Sequence, residues 1–358
     1  MPLTNISIKH LRCFEDINIT LSPGINFFYG ANGSGKTALL ESIYLFSSGK
    51  SFKSSNLASL IKHNKDSFYI KGFDGDRGFI VEIEKNIAKP ISVKLNSNKI
   101  TTSKLIRKFP CTLIHNETFS FANAAPDFRR KLLDRSIFIA DEVFSTAWFA
   151  YYRTLKQRNS LLKNNRISDL YAWNEKLSKE GNTLTNHRKV FFENCLYEFS
   201  DLLKKLDLAN VFDFFESISI EFFQGWKIDS PLFDTLQNNK NIDTHRKTTT
   251  EGPHRSDIKF LINDKEAKQI MSRGEQKLFS ILWSCAQNEA LKKHYQIEST
   301  LIIDDIKSEL DDRVFSLFIN LLKHNKNQVI FSCIDDTFSS KITDNFNAFK
   351  KFHVEQLG

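Results

Sequence analysis

Gly30-Ala31-Asn32-Gly33-Ser34-Gly35-Lys36-Thr37 follows the apolar run Ile25-Asn26-Phe27-Phe28-Tyr29, which the Pro23-Gly24 turn sets off. Beyond it, Leu39, Leu40, Ile43 and Leu45 mark a helix. Strand, glycine loop and helix are the setting in which G-x-x-x-x-G-K-[ST] becomes a phosphate cradle. Glycines let the backbone wrap closely around phosphates, and successive N–H groups point inward at a helix N-terminus. Lys36 supplies a point charge for the β- and γ-phosphates, and Thr37 a hydroxyl for Mg²⁺. The plain alternative is a glycine turn that merely starts a helix; the flanking strand and helix favour the cradle. The stretch implies a nucleoside triphosphate site.

Two further stretches complete such a site. Thr300-Leu301-Ile302-Ile303-Asp304-Asp305 reads as a buried parallel strand delivering carboxylates at its C-terminal edge. Asp304 would hold Mg²⁺ through water opposite Thr37, and Asp305 would orient or polarise an attacking water. Alone, the stretch would be a strand ending in a polar turn. Met271-Ser272-Arg273-Gly274-Glu275-Gln276-Lys277 precedes a helix carrying Leu278, Ile281, Leu282 and Cys285. Ser272 and Gly274 at a helix start make a second anion-binding corner, or simply an N-cap with Glu275 as the capping-box acid. Two phosphate corners in one chain suggest a dimer in which each subunit caps the other's nucleotide.

Composition sets the class. The 358 residues suffice for two domains or one large one, and 41% hydrophobic with 26% charged residues is ordinary for a soluble globular chain. The five cysteines are scattered without C-x-x-C spacing, so reduced thiols are expected rather than zinc or disulfides. No signal peptide and no apolar run of roughly 18 residues is present, which predicts a cytoplasmic protein without a membrane partner. Net charge is +8, and Phe121–Val190 alone holds 13 Lys/Arg against 7 Asp/Glu. A concentrated basic surface suggests a polyanion.

Along the chain, Ile6/Ile8, Ile17/Ile19, Phe68–Ile70, Phe79–Ile83 and Ile91–Leu95 read as strands. After Pro126 the texture becomes helical: Phe144, Trp148, Tyr151 or Tyr152, Leu155 and Leu162 form one apolar stripe. A second helix is expected after Ser168 as N-cap, and a third from Val190 to about Leu208. These patterns are short and broken, so no long coiled coil is implied. Strands return at Ile218 and at Asp257–Ile262, and Asn238 to Thr250 reads as a mobile polar loop. The expected fold is α/β: a P-loop ABC-type ATPase lobe, a mixed sheet with helices, from 1–118 and 250–358, with a mostly helical second lobe inserted at 119–249.

Gly30–Thr37, Ser272–Glu275, Asp304-Asp305 and Ser308-Glu309-Leu310-Asp311 together resemble the Walker A, signature, Walker B and D-loop of ABC-type ATPases. The phosphate loop and the signature are far apart for a transporter ATPase. Pro126–Asp134, Tyr152–Asn159 and Gly252-Pro253-His254-Arg255 narrow the likeness, which runs over nearly the whole chain, to the RecF family. The resemblance implies ATP and Mg²⁺ as cofactors, slow DNA-stimulated hydrolysis, ATP-dependent homodimerisation on single-stranded or gapped DNA, and work with RecO- and RecR-like proteins in recombinase loading. It implies Lys36 and Thr37 on phosphate and metal, Asp304 on metal, Asp305 on water, and Ser272 reaching across the dimer. Three departures stand out. Asp305 replaces the glutamate usual in transporter ATPases, Ser332 and Cys333 stand where a switch histidine is expected, and no glutamine occupies the Q-loop near His115-Asn116-Glu117. The alternatives are another DNA-linked ABC ATPase, as in phage defence, or a nucleotide-gated scaffold with little hydrolysis.

Arg129 and Arg130 follow Pro126 at a helix start, a poor place for cations, and such offences against local rules often mark function. They are candidates for nucleotide, subunit or DNA contact, against a solvated charged face. Arg153, Lys156, Arg158 and Lys163 are candidates for sequence-independent phosphate contacts, against the same alternative. Tyr151, Tyr152 and Trp148 could stack on bases but fit the helix's apolar stripe better. Asp134 could pair with Lys131 or Arg130 across a turn. Arg12 and Phe14 could flank the adenine, although a strand-end aromatic is more often core.

Overall fold

The computed structural model describes residues 2–115, 118, 121–208, 212–305, 312–324, 327–334, 336, 346 and 348–357. The proposed D-loop, Ser308–Asp311, and the Asn116-Glu117 pair lie outside them. The chain divides into two compact units, one of residues 1–120 and 273–358, the other of 121–272.

The first unit opens with β1 (Leu3–Leu11), β2 (Phe14–Thr20) and β3 (Ile25–Tyr29), then α1 (Lys36–Ser48). It continues with β4 (Ser67–Asp74), β5 (Phe79–Asn86), β6 (Ser92–Leu95), β7 (Asn98–Lys99), α2 (Thr102–Lys108) and β8 (Cys111–Ile114). The second unit holds α3 (Pro126–Ala140), α4 (Glu142–Lys163), α5 (Leu170–Lys205), β9 (Ile218–Phe223), α6 (Leu232–Asn238), α7 (Lys240–Arg246), β10 (Asp257–Ile262) and β11 (Lys265–Glu266). The chain then returns to the first unit with α8 (Arg273–Tyr295), β12 (Thr300–Ile303), α9 (Asp312–His324), β13 (Val329–Cys333) and β14 (Phe349–His353).

Two sheets of opposite character build the first unit. An antiparallel sheet runs β2-β1-β4-β5-β6-β7, and a sheet with all neighbours parallel runs β14-β3-β13-β12-β8. In the antiparallel sheet one face is covered, so Ile6 and Ile8 are buried while their neighbours in β1 are less so. In the parallel sheet Val329–Cys333 is buried throughout, as a central strand covered on both faces must be. Helix α1 shares one hydrophobic core with both sheets: Leu39, Leu40, Ile43 and Phe46 cluster with Ile8, Phe68 and Ile83 and with Phe28, Ile302 and Ile330. Gln328 ties β1 to this frame, accepting from Leu3 N–H and donating to Leu3 and Ser22 carbonyls.

The second unit is helical around the antiparallel sheet β11-β10-β9. Residues 250–272, placed by sequence reading with the ATPase lobe, lie in this unit because β10 pairs with β9 from Asp257–Phe223 to Ile262–Ile218. The two helices expected after Ser168 are one helix of 36 residues, α5. Its N-cap is Asp169, without a side-chain cap, and Ser168 donates instead to the Asp169 carboxylate. Leu170, Asn174, Leu177, Gly181, Leu184, Arg188, Phe191 and Cys195 form its buried seam at alternating steps of four and three. The pattern looked broken because Asn174, Gly181 and Arg188 sit in it. Each has a local reason. A Cβ on Gly181 would meet Leu232 at 2.6 Å, and the two polar residues are paired, as described below. The Asn238–Thr250 stretch is likewise ordered, largely as α7, with Asp243 fully buried.

Candidate functional site

The glycine loop leaves the C-terminal end of β3, one strand in from the edge of the parallel sheet. Gly30, Gly33 and Gly35 adopt φ of +154°, +87° and +104°, conformations that L side chains rarely adopt. Gly35 has a second constraint, since a Cβ there would stand 2.7 Å from Cys13 Sγ and 3.0 Å from Phe14. It is also the N-cap of α1, with no side-chain cap and no acid in the first turn. The positive end of the helix is thus left open to an anion. Ser34 Oγ is buried with no hydrogen-bond partner, an arrangement that costs free energy unless a ligand supplies one. Lys36 is buried and donates to the carbonyls of Gly30 and Ala31, both at 2.8 Å. Asn32 and Gly33 are exposed at the tip.

Strand order explains how the carboxylates reach this loop. β13 lies between β3 and β12, so Asp304, just past β12, is one strand removed from the loop. Thr37 Oγ1 stands 3.3 Å from Asp304 Oδ1 and donates to it. Ser332 fills the intervening strand: its hydroxyl donates to Asp304 Oδ1 at 2.9 Å and accepts from the Asp305 N–H at 2.9 Å. Asp304 is 9% exposed, and burial raises its pKa above the usual carboxylate range while the Ser332 hydrogen bond pulls the other way. Asp305 sits at φ +51°, a left-handed conformation uncommon for a non-glycine residue. Ser332 is the site residue that sequence reading treated only as a missing histidine. Its signal, a hydroxyl at the end of a buried strand next to the phosphate-loop strand, becomes readable once strand order is known.

These contacts have the chemistry of a divalent-metal site beside a triphosphate cradle. A hydroxyl and a carboxylate face each other, and both are oxygen donors of the kind Mg²⁺ takes. Arg12 does not lie free for a base: it pairs with the buried Glu41 of α1 at 3.1 Å, and Ser51 also donates to Glu41. Phe14 is core, at 3% exposure. Ser272 is exposed immediately before α8, and Gly274 lies in its first turn, where an added Cβ meets nothing within 4 Å.

The basic candidates of the second unit divide sharply. Arg158 has no solvent exposure; it donates to Asp243 at 2.7 Å, Asn174 at 2.6 Å and Thr249 at 2.8 Å. It is a core clamp and cannot meet DNA. Arg129 is likewise corrected: it makes a two-pronged pair with Asp257, at 2.8 and 2.7 Å, and caps the Ala122 and Ala124 carbonyls. Arg130 is mostly covered, donating to the Ser256 carbonyl and lying 3.5 Å from Asp127. Arg153, Lys156 and Lys163 are exposed, and their spacing of three and seven places them along one face of α4. Of the two tyrosines the stripe offered, Tyr151 is the fully buried one, with its hydroxyl 2.7 Å from His254 Nδ1, while Tyr152 is half-buried. Asp134 pairs with Arg188 rather than with Lys131 or Arg130, and also accepts from Trp148 Nε1.

The parallel sheet, phosphate loop and inserted second unit define the ATPase head shared by ABC- and SMC-type proteins. A structure of an Smc head bound to the C-terminal winged-helix domain of ScpA superposes with a TM-score of 0.56 at 17% identity, over 98% of this chain and 94% of that one. The recombination mediator RecF in its ATP form, from the RecFOR pathway, superposes at 0.81 with 24% identity, over 99% and 96%. The family model for the RecF/RecN/SMC N-terminal domain matches residues 2–355. The DNA replication and repair protein RecF of Pseudoalteromonas translucida is 31% identical over 99% of this chain and 98% of its own length. That of Francisella tularensis subsp. mediasiatica is 32% identical over 96% and 97%. The chain belongs to the RecF family of DNA replication and repair proteins. Among the described residues no helix is long and apolar enough to cross a membrane.

Proposed function

We propose that this chain is an ATP-gated DNA clamp of recombinational repair. ATP occupies the Gly30–Thr37 loop: N–H groups of the loop and of the start of α1 bind its phosphates, Ser34 donates its hydroxyl, and Lys36 supplies charge. Thr37 and, through water, Asp304 would hold Mg²⁺, which would supply charge neutralisation at the phosphates. Asp305 orients the attacking water. Ser272 and Gly274 cap the nucleotide of a second copy, so that ATP drives homodimerisation. Arg153, Lys156 and Lys163 contact the phosphates of single-stranded or gapped DNA without reading sequence. Work with RecO- and RecR-like proteins in recombinase loading during the SOS response, in the cytoplasm, completes the reading.

The observation that carries the proposal is the contact of Thr37 with Asp304 beside a loop holding a buried, unpartnered serine hydroxyl. Solution mass tests it, measured without nucleotide and then with ATP and Mg²⁺, for wild type and Ser272→Arg, with DNA titrated at two salt concentrations. The clamp requires ATP to double the mass of wild type only, with DNA affinity rising in step and falling with salt. Mass and DNA affinity indifferent to ATP would instead leave a nucleotide-binding scaffold.

A further inference from the structure

The strand pair β3–β14 ends in a chain of side-chain contacts. His353, the final residue of β14, is in register with Tyr29, and the two rings stack at 4.9 Å with 12° between planes. Two residues on, one oxygen of the Glu355 carboxylate stands 3.1 Å from His353 Nε2. The other accepts the Ala31 N–H at 2.9 Å. Ala31 is the second residue of the phosphate loop. Its carbonyl is also engaged, accepting from Lys36 Nζ at 2.8 Å and from Ser34 N–H at 3.2 Å. Both flanks of this residue are therefore held.

We infer that Glu355 is a positioning residue of the nucleotide site, setting the entry of the phosphate loop through Ala31. The inference rests on the reading of Gly30–Thr37 as the ATP site and deepens it. A carboxylate beside an anion-binding loop would ordinarily oppose the ligand. This one takes the N–H at the outer end of the loop and leaves untouched the N–H groups at the start of α1, where the helix dipole favours phosphate. Its second oxygen is taken up by His353, and it remains 44% exposed, so water offsets much of its charge. Gly30 gives the contact its reach: at φ +154° it turns the chain so that Glu355 Oε1 would lie only 3.6 Å from a Cβ there. Without the anchor, the Ala31 peptide is free to rotate, and Lys36 and Ser34 lose the carbonyl that orders them. The role is geometric and does not need a negative charge.

Binding of ATP and of ADP, followed by titration calorimetry on the full chain, separates the possibilities. Glu355→Gln keeps an acceptor for Ala31 N–H and should bind both within about twofold of wild type. Glu355→Ala should bind both up to about tenfold more weakly, the scale of one lost hydrogen bond. Thermal unfolding of ligand-free protein should be nearly equal in the two variants, since the side chain is half exposed. If both variants bind ATP more tightly than wild type, the carboxylate competes with the nucleotide and the inference is overturned. Equal affinity in all three proteins overturns it as well. A wild type that binds no nucleotide, like Lys36→Ala beside it, would sink the ATP-site reading itself, an outcome distinct from either.

Discussion

Arg158 and Asp243, 85 residues apart in sequence, form a 2.7 Å ion pair in which neither side chain has any solvent exposure. Burying two charges is costly, and the remaining groups are satisfied: Asn174 and Thr249 accept from Arg158, and Thr250 donates to Asp243. Removing one partner leaves an uncompensated charge. Arg158→Ala should destabilise the second unit by about 3–5 kcal/mol. Arg158→Met with Asp243→Leu should cost much less. Urea unfolding followed by tryptophan fluorescence reads this unit well, because Trp148, Trp173 and Trp226 all lie in it.

The exposed face of α4 behaves oppositely. Alanine at Arg153, Lys156 and Lys163 together should leave stability within about 1 kcal/mol of wild type, since none has a buried partner to strand. DNA affinity should fall. If each cation meets one duplex phosphate, the slope of log affinity against log salt should drop by about 2–3, read from anisotropy titrations across a salt series. An unchanged slope would place the DNA on another surface.

Ser332 joins the two acids of the site with a single hydroxyl. Ser332→Ala should lower ATP hydrolysis about tenfold or more, the usual effect of losing a group that orients a metal ligand. ATP binding without Mg²⁺ should stay near wild type, and Ser332→Thr should restore most of the rate. Single-turnover hydrolysis with matched binding isotherms checks all three.

His254 is held neutral: burial lowers its pKa to about 4, against the weaker opposing pull of its contact with the Thr249 carbonyl. An unfolded histidine titrates near 6.5, so between those values the unfolded chain binds the extra proton. The stability His254 supports is therefore intact above about pH 6.5 and lost as pH falls toward 4, by at most about 3 kcal/mol. Wild type should lose more stability than His254→Gln between pH 7 and pH 5, measured by the same urea unfolding. Equal losses would assign the acid sensitivity elsewhere.

Much of the site was legible in local pattern. Gly30–Thr37 and Ile302-Ile303-Asp304 each announce themselves, because a phosphate loop and a buried strand edge are defined within a few residues. Periodicity put Tyr151 or Tyr152 in an apolar stripe but could not choose between them; burial chooses Tyr151. What could not be read was pairing across distance. Nothing near Arg158 reveals Asp243, so a core clamp looked like one more surface cation. Asn174, Gly181 and Arg188 interrupted the hydrophobic count of α5 for the same reason, although all three are buried. Ser332 and Glu355 depend on which strands are neighbours, and strand order lies beyond any local signal.

That order has a consequence for how the protein is made. β3, which bears the phosphate loop, takes both its partners, β13 and β14, from the far end of the sequence. On the ribosome the loop emerges early, with both edges of its strand unpaired and adhesive. It must wait for β13 and β14 before the sheet can close around it, whereas the second unit, continuous from Phe121 to Ser272, can finish meanwhile. A prematurely terminated chain lacking the last two strands would carry the complete phosphate-binding sequence and no sheet to mount it on.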